Sequence, residues 1–248
     1  MTAPLLGKRA LVTGASGALG SAIARRLAAD GATVLLHGHS RPEAVNALAE
    51  DIRAAGGVAQ ALVFDLTSDS ACAEAVAAML LGGPVQIIVN NAGIHDDAVF
   101  PGMKAAQWYR VIDVSLHGFF RVTQPLLLPM LRTRWGRILN ISSVAALAGN
   151  RGQVNYAAAK GALNSATKAL SLEVASRGVT VNAIAPGIIE SPMATAEGSA
   201  FDKETIKKMV PCQRAGRPEE VAALAGFLAG PEAGYITGQV ISVNGGML

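Results

Sequence analysis

The sequence has little of what several classes of protein require. Charged residues make up 16% and hydrophobic residues 51% of its 248 positions, whereas an intrinsically disordered chain needs low hydrophobicity and high charge. Aromatic residues make up 4%, which disfavours a base-stacking surface for nucleic acid. The net charge of +3 is too small to indicate nucleic acid by itself, although it permits an acidic partner.

Cysteines and long apolar runs are also scarce. The two cysteines, Cys72 and Cys212, have no zinc-binding or Cys-x-x-Cys spacing, and no His, Asp and Glu pattern indicates a metal site. The longest apolar stretches, such as 221–230, fall far short of the ~18 residues that a membrane-spanning helix needs. Residues 1–4 lack the pattern of a signal peptide. We therefore expect a cytoplasmic protein with no metal, no membrane and no nucleic acid among its partners.

Short β-rich runs alternate with longer helical patterns along the chain. The long helix before the fifth run is expected to break near Pro125 or Pro129. This alternation predicts an α/β fold, with a doubly wound parallel sheet covered by helices on both faces. No linker or repeat divides the chain, so we predict one domain over residues 1–248. The runs with the composition of strands are 9–12, 33–37, 58–64, 85–89, 137–141, 179–184 and 239–243.

The least regular part of the chain follows the sixth predicted strand, at about 186–210. Its first part is rich in Pro, Gly, Ser and Thr. Such a segment is either a flap over a substrate site or a long surface loop.

A glycine cluster joins the first predicted strand to the first predicted helix. It reads Thr13-Gly14-Ala15-Ser16-Gly17-Ala18-Leu19-Gly20. In this position a sheet can present a diphosphate to a helix N-terminus, where the helix dipole favours the anion. An ordinary turn would explain an isolated cluster, but the place in the first βα unit favours a nucleotide. The predicted contacts are Gly14, Ser16, Gly17, Leu19 and Gly20.

The end of the second strand indicates which nucleotide. NAD-binding proteins usually have a carboxylate there to hold the ribose hydroxyls, but this chain reads His37-Gly38-His39-Ser40-Arg41. Ser40 can donate hydrogen bonds to a 2′-phosphate and Arg41 can pair with it. We therefore predict NADPH/NADP+, with His39, Ser40 and Arg41 as contacts. The alternative is that His39 and Arg41 are solvated loop residues.

Tyr156 is the one tyrosine with a lysine, Lys160, four residues later. One helical turn places both on the same face, and the ammonium is expected to lower the phenol pKa from its usual ~10. Tyr156 would then give a proton to a carbonyl oxygen as a hydride arrives. Ser143, at the end of the fifth strand, can hydrogen-bond the same oxygen. The alternatives are an exposed helical pair and a serine that caps a turn.

Together these residues resemble the short-chain dehydrogenase/reductase family over essentially the whole chain. The resemblance implies a Rossmann fold that binds NAD(P), with Ser143, Tyr156 and Lys160 as catalytic residues. It also implies further cofactor contacts besides Tyr156 and Lys160. These are Asp65, Leu66, Asn91, Ala92, Gly93, Pro186, Gly187, Ile189 and Ser191.

Two positions depart from the family pattern. Ala18 stands where the second motif glycine is usual, with Gly17 one place earlier. Ser115 stands where the family usually has a fourth catalytic residue, Asn, which is thought to hold a water linking the lysine to solvent. A serine hydroxyl can also bind water, but it is shorter. A further segment, His95-Asp96-Asp97, either faces the substrate or is a polar loop.

Within the family, the segments 149–160, 173–182 and 235–247 are similar to those of 3-oxoacyl-(acyl-carrier-protein) reductases. This similarity implies NADPH-dependent reduction of a β-ketoacyl thioester in fatty acid or polyketide-type synthesis, by a homotetramer. Arg134 and Arg177 match basic positions near the cleft mouth that would meet an acidic carrier protein, or they are ordinary surface arginines. The alternatives for function are a dehydrogenase of a free secondary alcohol and a cofactor-binding scaffold subunit with weak activity.

Overall fold

The computed structural model describes residues 3–190 and 203–248, and its strands form one parallel sheet. The predicted contact Ser191 and much of the predicted flap lie outside the described residues. The sheet order is β3-β2-β1-β4-β5-β6-β7, which confirms the doubly wound parallel sheet. The strands are β1 (Arg9–Val12), β2 (Thr33–Gly38), β3 (Val58–Val63), β4 (Ile87–Asn90), β5 (Gly136–Ile141), β6 (Val179–Pro186) and β7 (Val240–Val243).

Helices connect the strands and cover both faces of the sheet. Among the described residues, none is both long and apolar enough to cross a membrane. Short 3-10 turns occur at Phe100–Gly102, Ala175–Arg177 and Pro231–Ala233. The helices are α1 (Ala18–Ala29), α2 (Pro42–Ala54), α3 (Asp69–Leu81), α4 (Ala105–Ile112), α5 (Gly118–Arg132), α6 (Ala145–Ala148), α7 (Val154–Val174), α8 (Lys203–Met209) and α9 (Pro218–Ala229).

Alternation along the strands divides the core into two layers. Successive strand residues point to opposite faces, so Val12 packs in the layer under α1, α2 and α9, while Leu11 packs in the layer under α3 and α5. Leu36 and Leu35 divide in the same way. Because both faces are covered, these strands are apolar throughout.

The strand order reverses between β1 and β4, because the chain continues from β1 to β2 on one side and from β4 to β5 on the other. Ligands of open α/β sheets bind in the crevice at such a switch point, outside the carboxyl ends of the strands. The segments that follow β1 and β4 therefore border the crevice. They begin at Thr13 and Asn91.

The expected break near Pro125 or Pro129 is wrong, because α5 continues through both prolines. The two lie four residues apart on a partly exposed face, where water can satisfy the carbonyls that lose their partners. The opposite face, with Val122, Leu126 and Met130, is buried. The irregularity occurs earlier, at a π-helical turn over Asp113–His117 between α4 and α5. Such turns are frequent at functional sites, and this one contains Ser115.

Candidate active site

The loop after β1 is held tightly against its neighbours. Gly14 has φ +64°, in the left-handed region, and donates its N–H to Nδ1 of the buried His37 at 3.1 Å. The side chain of Asn91 donates to the carbonyl oxygens of Thr13 and Gly14 at 2.8 and 3.1 Å. A methyl group on Gly20 would overlap the Gly14 carbonyl oxygen and lie 2.9 Å from the Ala15 Cα, so the loop and α1 pack backbone to backbone.

A cavity of about 730 Å³ opens in front of this loop. Its donor set fits a dinucleotide diphosphate, because no side chain of the described residues caps α1 at Gly17 and the first turn carries no acidic residue, leaving the N-terminal dipole available to an anion. Fourteen predicted cofactor residues line it: Gly14, Ser16, Gly17, Leu19, Gly20, His39, Ser40, Arg41, Asp65, Leu66, Asn91, Ala92, Gly93 and Ile189.

The far end of this cavity contains both positive and negative groups. The guanidinium of Arg41 donates to the Ser16 carbonyl oxygen at 3.2 Å, which directs it across the glycine loop. Nδ1 of His39 lies 3.5 Å from a carboxylate oxygen of Asp65. Hydrogen bonds from the Thr67 backbone and hydroxyl lower the pKa of Asp65. The Asp65 carboxylate, which follows β3, thus lies close to His39, which follows β2. The spacing along the sequence does not reveal this contact.

A second cavity, of about 220 Å³, contains the predicted catalytic residues. Tyr156 and Lys160 of α7 meet Ser143, which follows β5, and the predicted contacts Pro186 and Gly187 also line this space. Nζ of Lys160 donates to the Ile141 carbonyl oxygen at 2.7 Å and lies 5.8 Å from the centre of the Tyr156 ring. Ser143 accepts the Ala145 N–H at 3.1 Å, so it also caps a turn.

The expected lowering of the Tyr156 pKa is wrong for this structure. Burial raises the pKa of Tyr156 to about 12, and the hydrogen bond with Ser143 counteracts only part of this effect. Burial also lowers the pKa of Lys160 to about 8. The cause in each case is that the cavity disfavours the charged form. Tyr156 is consequently a protonated phenol at neutral pH, as a proton donor must be.

Ser115 lies where its hydroxyl has no partner among the described residues, although it is buried. The Ser115 hydroxyl and the Lys160 ammonium border the same space beside Gly93. A methyl group on Gly93 would be 3.1 Å from Lys160 Nζ and 3.4 Å from Ser115 Oγ. A buried hydroxyl normally has a partner, so this position suits a water or a ligand hydroxyl between serine and lysine.

His95 is a site residue that sequence reasoning did not settle. Its ring centre lies 4.2 Å from that of Tyr156, with the planes tilted by 32°. Gln153, from the start of α7, approaches the other side of the ring and contacts Asp97. His37, which accepts the Gly14 N–H, was not predicted as a site residue. The available signal was a polar residue near the end of an apolar strand.

Arg134 and Arg177 were predicted to lie near the mouth of the cleft, but they lie at the opposite edge of the sheet. Arg134 precedes β5 and Arg177 precedes β6, whereas Ser143 follows the carboxyl end of β5. A strand of six residues separates the two edges by roughly 20 Å. Both arginines are exposed and lie close together, since the space beside Gly178 is filled by the Arg134 carbonyl. They cannot meet a partner at this chain's own cleft.

No group of three or more His, Cys, Asp or Glu side chains in the described ranges could hold a metal ion. The polar side chains that line the catalytic cavity include the Tyr156 phenol, the Lys160 ammonium and the Ser143 hydroxyl.

Known proteins resemble this chain over nearly its whole length. The family model described as Enoyl-(Acyl carrier protein) reductase matches residues 14–248. The chain is 45% identical to the 3-oxoacyl-(acyl-carrier-protein) reductase FabG of Pseudomonas aeruginosa over 98% of both chains, and 46% identical to that of Aquifex aeolicus over 100% of both. It is also 45% identical to Nodulation protein G of a Rhizobium species over 98% of both.

Among solved structures, the chain is similar to that of a proposed gluconate dehydrogenase from Agrobacterium tumefaciens. The TM-score is 0.94 and the identity 36%, over 100% of this chain and 98% of the other. A likeness of this extent includes every described strand.

Proposed function

The chain belongs to the short-chain dehydrogenase/reductase family of oxidoreductases, and from this premise we propose that it reduces the keto group of a 3-oxoacyl thioester on acyl-carrier protein, with NADPH as the reductant. Family membership implies a nicotinamide cofactor. The observation that carries the proposal is the meeting of Ser143, Tyr156 and Lys160 in a cavity that adjoins the predicted dinucleotide cavity. The names of the relatives support the carrier-bound substrate, and the product suits fatty acid or polyketide-type synthesis.

The roles proposed for the three residues follow from their protonation. When bound, NADPH supplies a hydride to the carbonyl carbon. Tyr156, which is protonated at neutral pH, gives its phenolic proton to the carbonyl oxygen. Ser143 holds the same oxygen, and the charge on Lys160 favours the phenolate that remains. Ser115 is proposed to bind a water beside Lys160 through which the proton is restored.

The decisive experiment compares three substrates with the purified protein and NADPH. We expect oxidation of NADPH with acetoacetyl thioesters of acyl-carrier protein and of coenzyme A, and faster turnover with the carrier. Turnover of free ketones alone, or oxidation of free secondary alcohols with NADP+ by a protein that reduces neither thioester, would overturn the proposal in favour of a free-alcohol dehydrogenase, which the structural similarity to the Agrobacterium protein supports. Tight NADPH binding without any turnover would indicate a scaffold subunit.

Arg41 tests the proposed preference for NADPH. Arg41→Ala removes the cation beside Ser16, so we expect the KM for NADPH to rise about tenfold while that for NADH changes little, since only NADPH carries the 2′-phosphate. Steady-state kinetics with both cofactors measure this. The matched control is Arg25→Ala, because Arg25 pairs with Asp51 at 2.7 Å outside the cavity. Equal losses with the two cofactors would contradict the assignment of Arg41.

The buried ammonium predicts how reduction depends on pH. Lys160 is charged below its pKa of about 8 and neutral above it, whereas Tyr156 keeps its proton up to about 12. We therefore expect kcat/KM for reduction to be constant at neutral pH and to fall as pH rises through about 8. The NADPH dissociation constant, measured over the same range, separates lost chemistry from lost binding. A rate that stays constant beyond pH 10 would show that the charge on Lys160 is not needed.

The proposals for assembly follow from the position of the arginines. Arg134 and Arg177 remain candidate contacts for acyl-carrier protein only if the amino edge of one subunit faces the cleft of another, which a homotetramer permits.

A single domain over residues 1–248, with the segment at about 186–210 as a substrate flap, is likewise proposed. Ile189 supports the flap, because it lines both cavities just before the segment that is not described. A cytoplasmic location stays a prediction from the cysteine usage.

A further inference from the structure

His95 borders the catalytic cavity on the side of Tyr156 and is not needed for hydride or proton transfer. It lines the same cavity of about 220 Å³ as Ser143 and Tyr156, and its ring packs against the Tyr156 ring at 4.2 Å between centres. A polar ring in this position is close enough to the proposed catalytic residues to contact a group attached to the reacting ketone. Its protonation state therefore decides what kind of substituent it can bind.

The neighbouring amide determines which nitrogen of His95 carries the proton. Nε2 of Gln153 donates to a carboxylate oxygen of Asp97 at 2.8 Å, and a carboxylate can only accept. The Gln153 oxygen in turn accepts from the Asn150 side chain at 2.9 Å. The amide orientation is thus set from both ends, so the nitrogen of Gln153 that lies 3.4 Å from His95 Nδ1 is a donor, and Nδ1 must accept.

It follows that neutral His95 carries its proton on Nε2. Burial lowers the pKa of His95, which favours the neutral ring at neutral pH. The hydrogen bond at Nδ1 is the only one that the ring makes to the described residues. Nε2–H is therefore available to an acceptor in the substrate.

A 3-oxoacyl thioester has two carbonyl oxygens, separated by one methylene carbon. Ser143 and Tyr156 act on the keto oxygen, and the thioester oxygen requires a second donor nearby. We propose that His95 donates its Nε2–H to the thioester carbonyl, so that it is the residue that distinguishes a 3-oxoacyl thioester from a lone ketone. This inference rests on the proposed function and adds the recognition of the second carbonyl to it.

The test changes the donor and the acceptor separately. His95→Phe keeps a planar ring against Tyr156 and removes the N–H. The substrates are acetoacetyl-coenzyme A and the 3-oxobutyl thioether of coenzyme A, which lacks only the thioester carbonyl. We expect His95→Phe to lower kcat/KM at least tenfold for acetoacetyl-coenzyme A and less than twofold for the thioether. The dissociation constant of NADPH should not change, because His95 does not line the larger cavity.

A second pair of variants repeats the test without an aromatic ring. His95→Gln and His95→Met are similar in length, and only the glutamine has an N–H donor. The glutamine variant should be at least fivefold more active than the methionine variant on acetoacetyl-coenzyme A, and both should be equally active on the thioether. Equal activity of the two on acetoacetyl-coenzyme A, or equal losses by His95→Phe on both substrates, would overturn the inference.

The proposed function fails in a different way. If the unmodified protein reduces no 3-oxoacyl thioester, the function itself is wrong whatever the variants do. If it reduces acetoacetyl-coenzyme A and His95→Phe does so equally well, only the role of His95 is wrong.

Discussion

Tyr156→Phe is expected to lower kcat for reduction of a 3-oxoacyl thioester by about 10³-fold, within the range that a positioned general acid contributes. The ring would remain against His95, so the loss isolates the phenolic proton. Stopped-flow or steady-state oxidation of NADPH measures the rate. Binding of NADPH should change much less than the rate, because the substitution removes one hydroxyl and leaves the predicted contacts of the larger cavity in place.

The chain supplies matched controls for this substitution. Tyr235 and Tyr109 are exposed and line neither the dinucleotide cavity nor the catalytic one, so Tyr235→Phe and Tyr109→Phe should retain full activity. If Tyr156→Phe reduced the thioester at the rate of these controls, another group would have to supply the proton. The catalytic assignment would then be wrong even though the fold and family stand.

Gly20→Ala is expected to destabilise the protein and weaken cofactor binding together. The added methyl group would overlap the Gly14 carbonyl oxygen and lie 2.7 Å from the Asn91 amide nitrogen and 2.9 Å from the Ala15 Cα. Two of these neighbours are backbone atoms, which cannot turn away. Overpacking of this kind costs about 2–3 kcal/mol, or a fall in Tm of roughly 5–10 °C for a chain of this length.

The backbone shift that relieves this overlap would also displace the loop that faces the predicted diphosphate. We therefore expect the NADPH dissociation constant to rise at least tenfold. Thermal melting and fluorescence titration measure the two effects. Gly17→Ala is the matched control for the melting temperature, since its methyl group would lie at an ordinary 3.5 Å from the Gly14 carbonyl oxygen, at φ −84°. Equal melting temperatures for the two variants would show that the packing at Gly20 is not as tight as described.

Much of the fold could be predicted because the signals for it are local. The spacing of apolar residues and the positions of turn residues locate strands and helices. The rules for connecting parallel strands then leave few possible arrangements of the sheet. The glycine cluster at Gly14–Gly20 and the pair Tyr156 and Lys160 are likewise contained in short segments. The helix break predicted near Pro125 or Pro129 was wrong, because its outcome depended on which face of α5 is buried, and the buried face is decided by other elements.

The sequence by itself determined the parallel sheet, the place of the glycine loop and the tyrosine proposed as proton donor, because each is encoded in neighbouring residues. Tertiary structure decided the protonation of that donor, since burial by distant segments raises the pKa of Tyr156. It also placed Arg134 at the amino edge, Asp65 beside His39, and His95 against the tyrosine. These relations join residues far apart in the chain, and only the packed sheet brings them within reach of one another.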